Sequence, residues 1–333
     1  MWPFLPRRAA LPGVRFVHNW TAVAGAFEGL LAAVGRPAST AWVMGISGHA
    51  FRLAVVGGEQ GAVGADGPGT FSLAGAAARY RDLDVELEPI AAPVGDPRYE
   101  DARRRIVRAA RRAVARGWPV LLFGAQVPDW GLVKGCDLPG QRWLVSTSVS
   151  EQFGEALAWS MWPLPGRASR VAALVPRRLL AADQAAAARR ALRWAVAYAE
   201  AGEPDMEGTH GLAAYGRWRD ALLAGEPLDP VGHALCIAAA QAARQHAAVF
   251  VGEAQGYLPS ASRPALEAAG EAFDGVALAL SRLMTLFPYP AGGPVENSGL
   301  RRVAAGLLER AEVQEREAIG RLADAVAGLP ADA

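Results

Sequence analysis

The chain has 333 residues, of which 52% are hydrophobic and 20% are charged, a composition typical of folded domains rather than disordered segments. Its formal net charge of +1 gives no electrostatic reason to expect binding to nucleic acid or to an anionic membrane. The length is sufficient for two domains, each with a core of its own.

The two cysteines, Cys136 and Cys236, lie far apart in the chain. They form no CxxC motif and have no histidine at metal-ligand spacing, so we expect no metal site, no cofactor and a reduced, cytoplasmic protein. The first eight residues lack the order of basic and apolar segments found in a signal peptide. Because no apolar run reaches membrane-spanning length without interruption, we expect neither a leader nor a membrane span.

The N-terminal half begins with a helix and a glycine-bracketed turn. Asn19 is a favourable N-cap residue, and apolar residues recur at helical spacing over 20–34. Residues 45–52 read Gly-Ile-Ser-Gly-His-Ala-Phe-Arg and precede the apolar run 53–56. Because glycine permits positive φ and close backbone approach, this pattern predicts a tight turn at the entry to a strand.

Several strands follow in close succession. The segments are helices over 71–80 and 99–116 and strands over 85–90, 119–124, 131–137, 142–146 and 170–176. Consecutive strands after a helix indicate an α+β domain with a mainly antiparallel sheet. Arginines cover all but one apolar stripe of the helix over 99–116. A nucleic-acid helix and a solvated face both fit that pattern, and the near-neutral net charge favours the solvated face.

From about Pro176 the periodicity becomes helical throughout. The predicted helices cover 180–201, 208–224, 229–251, 263–287 and 298–327. Asp229 and Pro230 form a helix start, and the helix that follows is apolar nearly all round, which predicts a central position. Its polar stripe is Gln241, Arg244 and Gln245. The helix over 263–287 carries a seam of alternating three- and four-residue steps.

These patterns predict two domains. Residues 12–176 form the α+β domain, and residues 177–328 form an all-α helical bundle.

Four segments together resemble a known family: His18-Asn19-Trp20, the stretch 44–52, the stretch 130–137 and the stretch 211–218. The chain resembles the bacterial proteins related to the N-terminal domain of the butirosin-biosynthesis acyltransferase, within the papain-like or C39-peptidase-like group. The resemblance covers about residues 12–175, and residues 208–255 more loosely. It implies a papain-like fold for the N-terminal half.

The family comparison also implies a cysteine at the start of the first helix and a histidine at the start of a central strand. A helix N-terminus lowers the pKa of a thiol and so creates a nucleophile. Here residues 18–25 contain no cysteine, and Asp129 and Trp130 stand before the strand. We therefore expect a relative without cysteine-peptidase activity. Thr21 is an alternative hydroxyl nucleophile without an evident base, and Cys136 should be a core thiol with a raised pKa.

The leading hypothesis is a protein that binds a small molecule or an acyl-type ligand between the sheet and the helical half. The candidate binding residues are His18, Asn19, Trp20, Thr21, His49, Arg52, Asp129, Trp130 and Asp137. One alternative is an acyl or amide transferase or hydrolase that uses Thr21 or His49. Another is a protein-interaction module that docks through the arginine helix or the bundle. Whether the chain forms a homo-oligomer stays open.

His49 and Arg52 are expected to lie close to the cap of the first helix, around His18 and Asn19. Helix N-termini offer free N–H groups and a partial positive charge, so this arrangement would favour an anionic or carbonyl-bearing ligand. The structural alternative is that Arg52 pairs with an acid such as Glu28 and fastens the helix to the sheet.

Overall fold

The computed structural model describes residues 7–57, 61–203 and 205–329, and it confirms the α+β class. The helices are α1 (Ala22–Ala33), α2 (Thr40–Ile46), α3 (Leu73–Tyr80), α4 (Tyr99–Ala115), α5 (Ser150–Phe153), α6 (Gln184–Ala201), α7 (Ala213–Leu223), α8 (Pro230–Ala254), α9 (Arg263–Leu286) and α10 (Ser298–Ala327). The strands are β1 (Arg8–Ala10), β2 (Ala54–Val55), β3 (Val85–Pro93), β4 (Val120–Phe123), β5 (Trp130–Asp137), β6 (Arg142–Ser146), β7 (Ala156–Ala158), β8 (Arg170–Leu179) and β9 (Thr209–His210).

The chain divides into two compact units, each built from two stretches of sequence. The first falls within Met1–Val43 and Leu73–Ala181, and the second within Met44–Ser72 and Ala182–Ala333. The predicted division near residue 176 places the stretch 44–72 with the sheet, whereas the structure groups it with the C-terminal helices. The stretch belongs with the C-terminal helices because its contacts are with them. Strand β2 pairs with β9, and the single-turn helix His49–Phe51 packs against α8.

The first unit contains an antiparallel sheet in the order β3-β8-β4-β5-β6-β7, with β1 paired to β5. Val120 and Leu122 of β4 belong to a core that α4 covers with Ile106 and Ala110. On the other face, α1 packs on β4 and β5 and α3 packs on β3. Alternate residues of each strand therefore face opposite helix layers, as the period of two requires.

The second unit is built on long helices. α9 packs against α8 and α10, and α10 also packs against α6 and α7. The predicted seam of α9 is confirmed, because its members from Leu266 to Leu283 are buried, as is Phe287 just after the helix. The start of α8 is confirmed as well, since the Asp229 side chain accepts a hydrogen bond from the Val231 N–H at 3.1 Å and Pro230 begins the helix.

One helix of the described chain, α8, is long and apolar enough to cross a membrane by length and composition alone, and 67% of its most apolar window is buried inside the protein. It packs against α9. The helix therefore contributes most of this window to the core of its own unit.

Three local features differ from the sequence pattern. The residues before the glycine-bracketed turn form helix α2, and the strand expected over 53–56 shrinks to the two residues of β2. Arg244, which belongs to the polar stripe of α8, is 1% exposed. In each case tertiary packing overrides the local pattern.

Candidate ligand-binding site

The nine candidate residues are distributed over both units. The first unit holds His18, Asn19, Trp20, Thr21, Asp129, Trp130 and Asp137, and the second holds His49 and Arg52. The expected approach of His49 and Arg52 to the cap of α1 stays a prediction. The same holds for the expected ligand position between the sheet and the helical half.

The residues before α1 form a turn in place of the predicted Asn19 cap. Asn19 Oδ1 accepts a hydrogen bond from the Thr21 N–H at 2.8 Å, which is an Asx turn, and Thr21 itself precedes the first helical residue. Thr21 is buried and makes no capping hydrogen bond. His18 lies edge-on to Phe16, with 6.0 Å between the ring centroids, and Trp20 is 39% exposed. Helix α1 therefore presents a hydroxyl rather than a thiol at its start.

The two candidate carboxylates flank β5 at opposite ends. Asp129 precedes the strand and accepts a hydrogen bond from the Trp130 N–H at 2.8 Å. Burial raises the pKa of Asp129 to about 6, against the opposing effects of that hydrogen bond and of Arg170. Asp137 ends the strand and pairs with Arg8 at 3.0 Å, and this hydrogen bond lowers its pKa. The two acids cannot act as a carboxylate pair, because the whole strand separates them.

Both thiols lie in environments that disfavour the thiolate. Burial raises the pKa of Cys136. Burial, reinforced by Asp229 and Asp66, raises the pKa of Cys236 to about 12, and its Sγ donates to the Gly64 carbonyl at 3.1 Å. A catalytic cysteine needs the opposite shift. Within the described residues, no group of three or more His, Cys, Asp or Glu side chains is placed to hold a metal ion.

Arg52 is the centre of a compact polar site in the second unit. It is 9% exposed, and its two terminal nitrogens donate to the two carboxylate oxygens of Glu203 at 2.6 and 2.7 Å. The guanidinium carbon lies 5.0, 5.4 and 5.7 Å from the ring centroids of Trp194, Tyr198 and Phe71, within the range of cation–π attraction. We call Arg52, Phe71, Trp194, Tyr198 and Glu203 the Arg52 box.

The acid that Arg52 contacts is Glu203, 151 residues further along the chain. Glu28, the acid proposed for the structural alternative, instead accepts a hydrogen bond from the Thr40 hydroxyl at 2.8 Å, and its partial burial raises its pKa. The general form of that alternative, an arginine paired to an acid, is therefore correct, and its named partner is wrong.

His49 contributes an imidazole beside the box. It is buried, and its ring lies edge-on to Phe71 with 5.1 Å between the centroids. Gly48 is required next to it, because its φ is +83° and an added Cβ would lie 2.4 Å from the Trp194 ring. The structure thus brings His49 and Arg52 together around Phe71, and the second glycine of the 45–52 motif makes room for the indole.

Tyr198 connects the Arg52 box to the backbone of Leu53 by hydrogen bonds. Its hydroxyl donates to the Leu53 carbonyl at 2.8 Å and accepts from the Leu53 N–H at 3.3 Å. Burial raises the pKa of Tyr198, although Arg52 acts in the opposite direction. The phenol is therefore held neutral and fixes the chain that follows Arg52.

A fully buried ionic network holds the same segment from the helical side. Arg244 donates to the two carboxylate oxygens of Glu315 at 2.8 and 2.5 Å and to the Arg52 carbonyl at 2.5 Å. The Tyr215 hydroxyl donates to Glu315 at 2.7 Å. Burial alone would lower the pKa of Arg244, but Glu315 and Tyr215 outweigh it and raise the pKa. Three helices thereby position the backbone of Arg52.

Four members of the Arg52 box were missed by the sequence analysis as binding residues. Trp194 and Tyr198 lie four residues apart on α6, so their shared face was visible from spacing. Phe71 was predicted as the first residue of the helix over 71–80, but it lies in the irregular segment before α3. Glu203 lies in the irregular segment after α6, where no periodicity marks it.

No protein-family model matches the chain, and no curated protein shows significant similarity to it. The resemblance to the butirosin-biosynthesis acyltransferase domain therefore stays a prediction.

Proposed function

We propose that the protein is a non-peptidase relative of the papain-like group that binds a small molecule with an anionic or acyl-type group, in the cytoplasm. The observation that carries this proposal is the Arg52 box. A buried guanidinium with three aromatic neighbours, next to a buried histidine, supplies the few polar anchors and apolar walls typical of ligand sites.

The two thiols support the part of the proposal that excludes peptidase chemistry. Thr21, not a cysteine, stands at the start of α1, and burial raises the pKa of both cysteines. A thiolate nucleophile requires a depressed pKa and partial exposure, and these two thiols offer neither.

Native mass spectrometry of the purified protein, followed by thermal unfolding with the recovered ligand, tests the proposal. We expect the ligand-induced increase in Tm to be lost in the Arg52→Ala and His49→Ala variants. Arg217→Ala is a matched control, because Arg217 makes a bidentate pair with Glu226 at 2.8 and 2.8 Å in the same unit, at a half-exposed position. An unchanged ligand-induced shift in Arg52→Ala would contradict the proposal, whatever the variant does to the unliganded Tm.

A second candidate is acyl or amide transfer with Thr21 as the nucleophile. The observation that favours it is that the Thr21 hydroxyl stands at the start of α1, in the unit that also holds the buried Asp129. Burial raises the pKa of Asp129 to about 6, in the range suited to a general base near neutral pH. Turnover of an activated ester such as p-nitrophenyl acetate should then fall at least about a hundredfold in Thr21→Val and in Asp129→Asn. Turnover that is absent in the wild type, or that is as fast in both variants as in the wild type, would reject this candidate.

A further inference from the structure

We propose that the Arg52 box is a carboxylate-binding site, and that Glu203 is an internal occupant which a small ligand carboxylate replaces. This inference rests on the proposed function and names the chemical class of its ligand. It assigns Glu203 the role of a competitor that belongs to the chain.

The donor set around Glu203 is the one that recognises a carboxylate. The guanidinium fork of Arg52 meets both oxygens of the carboxylate at 2.6 and 2.7 Å, which is the bidentate geometry by which arginine binds carboxylates. The Ser72 N–H adds a third hydrogen bond to Oε2 at 3.3 Å. A free carboxylate in the same position would receive the same three hydrogen bonds.

The aromatic side chains of the box indicate the chemical character of the part of the ligand that is attached to the carboxylate. Phe71, Trp194 and Tyr198 surround the guanidinium, and Trp194 stacks on Tyr198 with 4.8 Å between the centroids. Such walls accept a short aliphatic chain or a flat ring attached to the carboxylate. The ligand class is therefore a compact carboxylate with an apolar body, such as a short-chain or aromatic acid.

Glu203 lies outside the regular elements of the second unit. It lies just beyond the end of α6, after Gly202 with φ +66°, in the connection to β9. Its side chain is 14% exposed and that of Arg52 is 8% exposed, so solvent reaches the pair from the Glu203 side. The carboxylate is therefore carried by a residue outside the helix.

Exchange of one carboxylate for another also avoids the main electrostatic cost. Removing the partner of a buried charge leaves that charge uncompensated, which is strongly destabilising. When a ligand carboxylate takes the place of Glu203, Arg52 keeps a bidentate partner and Glu203 becomes solvated. The charge within the box is therefore the same before and after binding.

Chemical rescue in the Glu203→Ala variant tests this inference directly. The probes are sodium acetate, propionate and benzoate, compared with sodium chloride at equal ionic strength, and the readout is Tm. We expect a lower Tm in the variant, restored by the carboxylates but not by chloride, with half-saturation at concentrations about tenfold or more below those of the wild type. Glu226→Ala, which removes the half-exposed partner of Arg217, should respond to these salts like the wild type.

Glu203→Gln provides the second variant if the alanine variant does not fold, because glutamine keeps the shape and removes the charge. Its half-saturation should also lie below that of the wild type. Equal responses to chloride and to carboxylates, or equal rescue in Glu226→Ala, would overturn the inference. If native mass spectrometry finds a bound ligand but Glu203→Ala shows no selective rescue, the inference fails and the proposed function stands. Selective rescue without any natural ligand leaves the carboxylate site supported and the proposed function rejected.

Discussion

Two buried arginines of the second unit each make a bidentate contact with a glutamate, Arg52 through its two terminal nitrogens and Arg244 through Nε and one terminal nitrogen. Different parts of the chain hold the two glutamates. Glu315 lies on α10, is 4% exposed and also receives the Tyr215 hydroxyl. Glu203 lies in a connection after α6, is 14% exposed and receives a backbone N–H. The difference indicates that the Arg244 pair fixes three helices together, whereas the Arg52 pair is open to exchange. The predictions below test this division.

The largest effect is expected at the Arg244 pair. Arg244→Met leaves the Glu315 carboxylate buried without its cation, which should lower the free energy of unfolding by about 3–5 kcal/mol. Urea unfolding at neutral pH measures this loss. Arg316→Met on α10 is the control, because Arg316 pairs with Glu312 at an exposed position and should cost less than about 1 kcal/mol. A loss at Arg244 as small as that of the control would show that the Arg244 pair does not fix the three helices together.

A smaller effect is expected at the Arg52 pair. Arg52→Met should lower the free energy of unfolding by about 2 kcal/mol, because Glu203 can turn to solvent once its partner is lost. The same urea experiment compares this variant with Arg244→Met. Arg217, whose ion pair is half-exposed, provides the control for a weak pair. Arg217→Met should lower the free energy of unfolding by about 0–1 kcal/mol. An Arg52→Met loss equal to that of Arg244→Met would show that Glu203 is locked in place.

His233 is a third buried polar group of the second unit. Unlike Arg52 and Arg244, it makes no ion pair with an acid among the described residues. Neither ring nitrogen has a hydrogen-bond partner among the described residues, and the ring lies edge-on to Trp218 and Phe287. Burial, with a contribution from Arg301, lowers the pKa of His233 to about 4. Since the unfolded state binds the proton more readily, stability is full above pH 6.5 and falls as the pH drops toward 4.

The free energy of unfolding should therefore decrease by about 2 kcal/mol between pH 7 and pH 5 through His233 alone. His233→Leu should remove that part of the pH dependence while keeping the buried volume similar. Urea unfolding at the two pH values provides the measurement. The same pH dependence in the wild type and in the variant would show that His233 does not stay neutral in the folded protein.

The smallest effect is expected at the two thiols. Cys136→Ser and Cys236→Ser should leave the ligand-induced shift in Tm unchanged, because both thiols are buried and burial raises their pKa. Thermal unfolding with and without the ligand that native mass spectrometry identifies measures this shift. A loss of the ligand-induced shift in either variant, with the unliganded fold preserved, would show that the substituted thiol takes part in ligand binding.

The elements that could be predicted from the sequence are those with strong local signals. Asp229 with Pro230 marks the start of α8, and the seam beginning at Leu266 marks α9, because capping and periodicity act within one segment. Helix α2 was missed, since its seven residues include tryptophan, valine and glycine, which favour helices weakly.

The candidate site could be predicted only in part, for a different reason. His49 and Arg52 stood out by their position in the glycine-bracketed motif. Apart from Phe71, their partners in the box come from segments more than a hundred residues away. An arginine on an apolar helix also looks the same in sequence whether it meets solvent or, like Arg244, a buried glutamate. Such pairings depend on tertiary packing, which spacing along the chain does not contain.

The central claim is that an external carboxylate can take the place of Glu203 at Arg52. A crystal structure of the Glu203→Ala variant grown with benzoate measures this most directly. We predict a benzoate carboxylate bound to the guanidinium fork of Arg52 and to the Ser72 N–H, with its ring against the aromatic side chains of the box. Crystals with the same benzoate concentration in which the Arg52 fork contacts only water, chloride or another acid of the chain would contradict the claim.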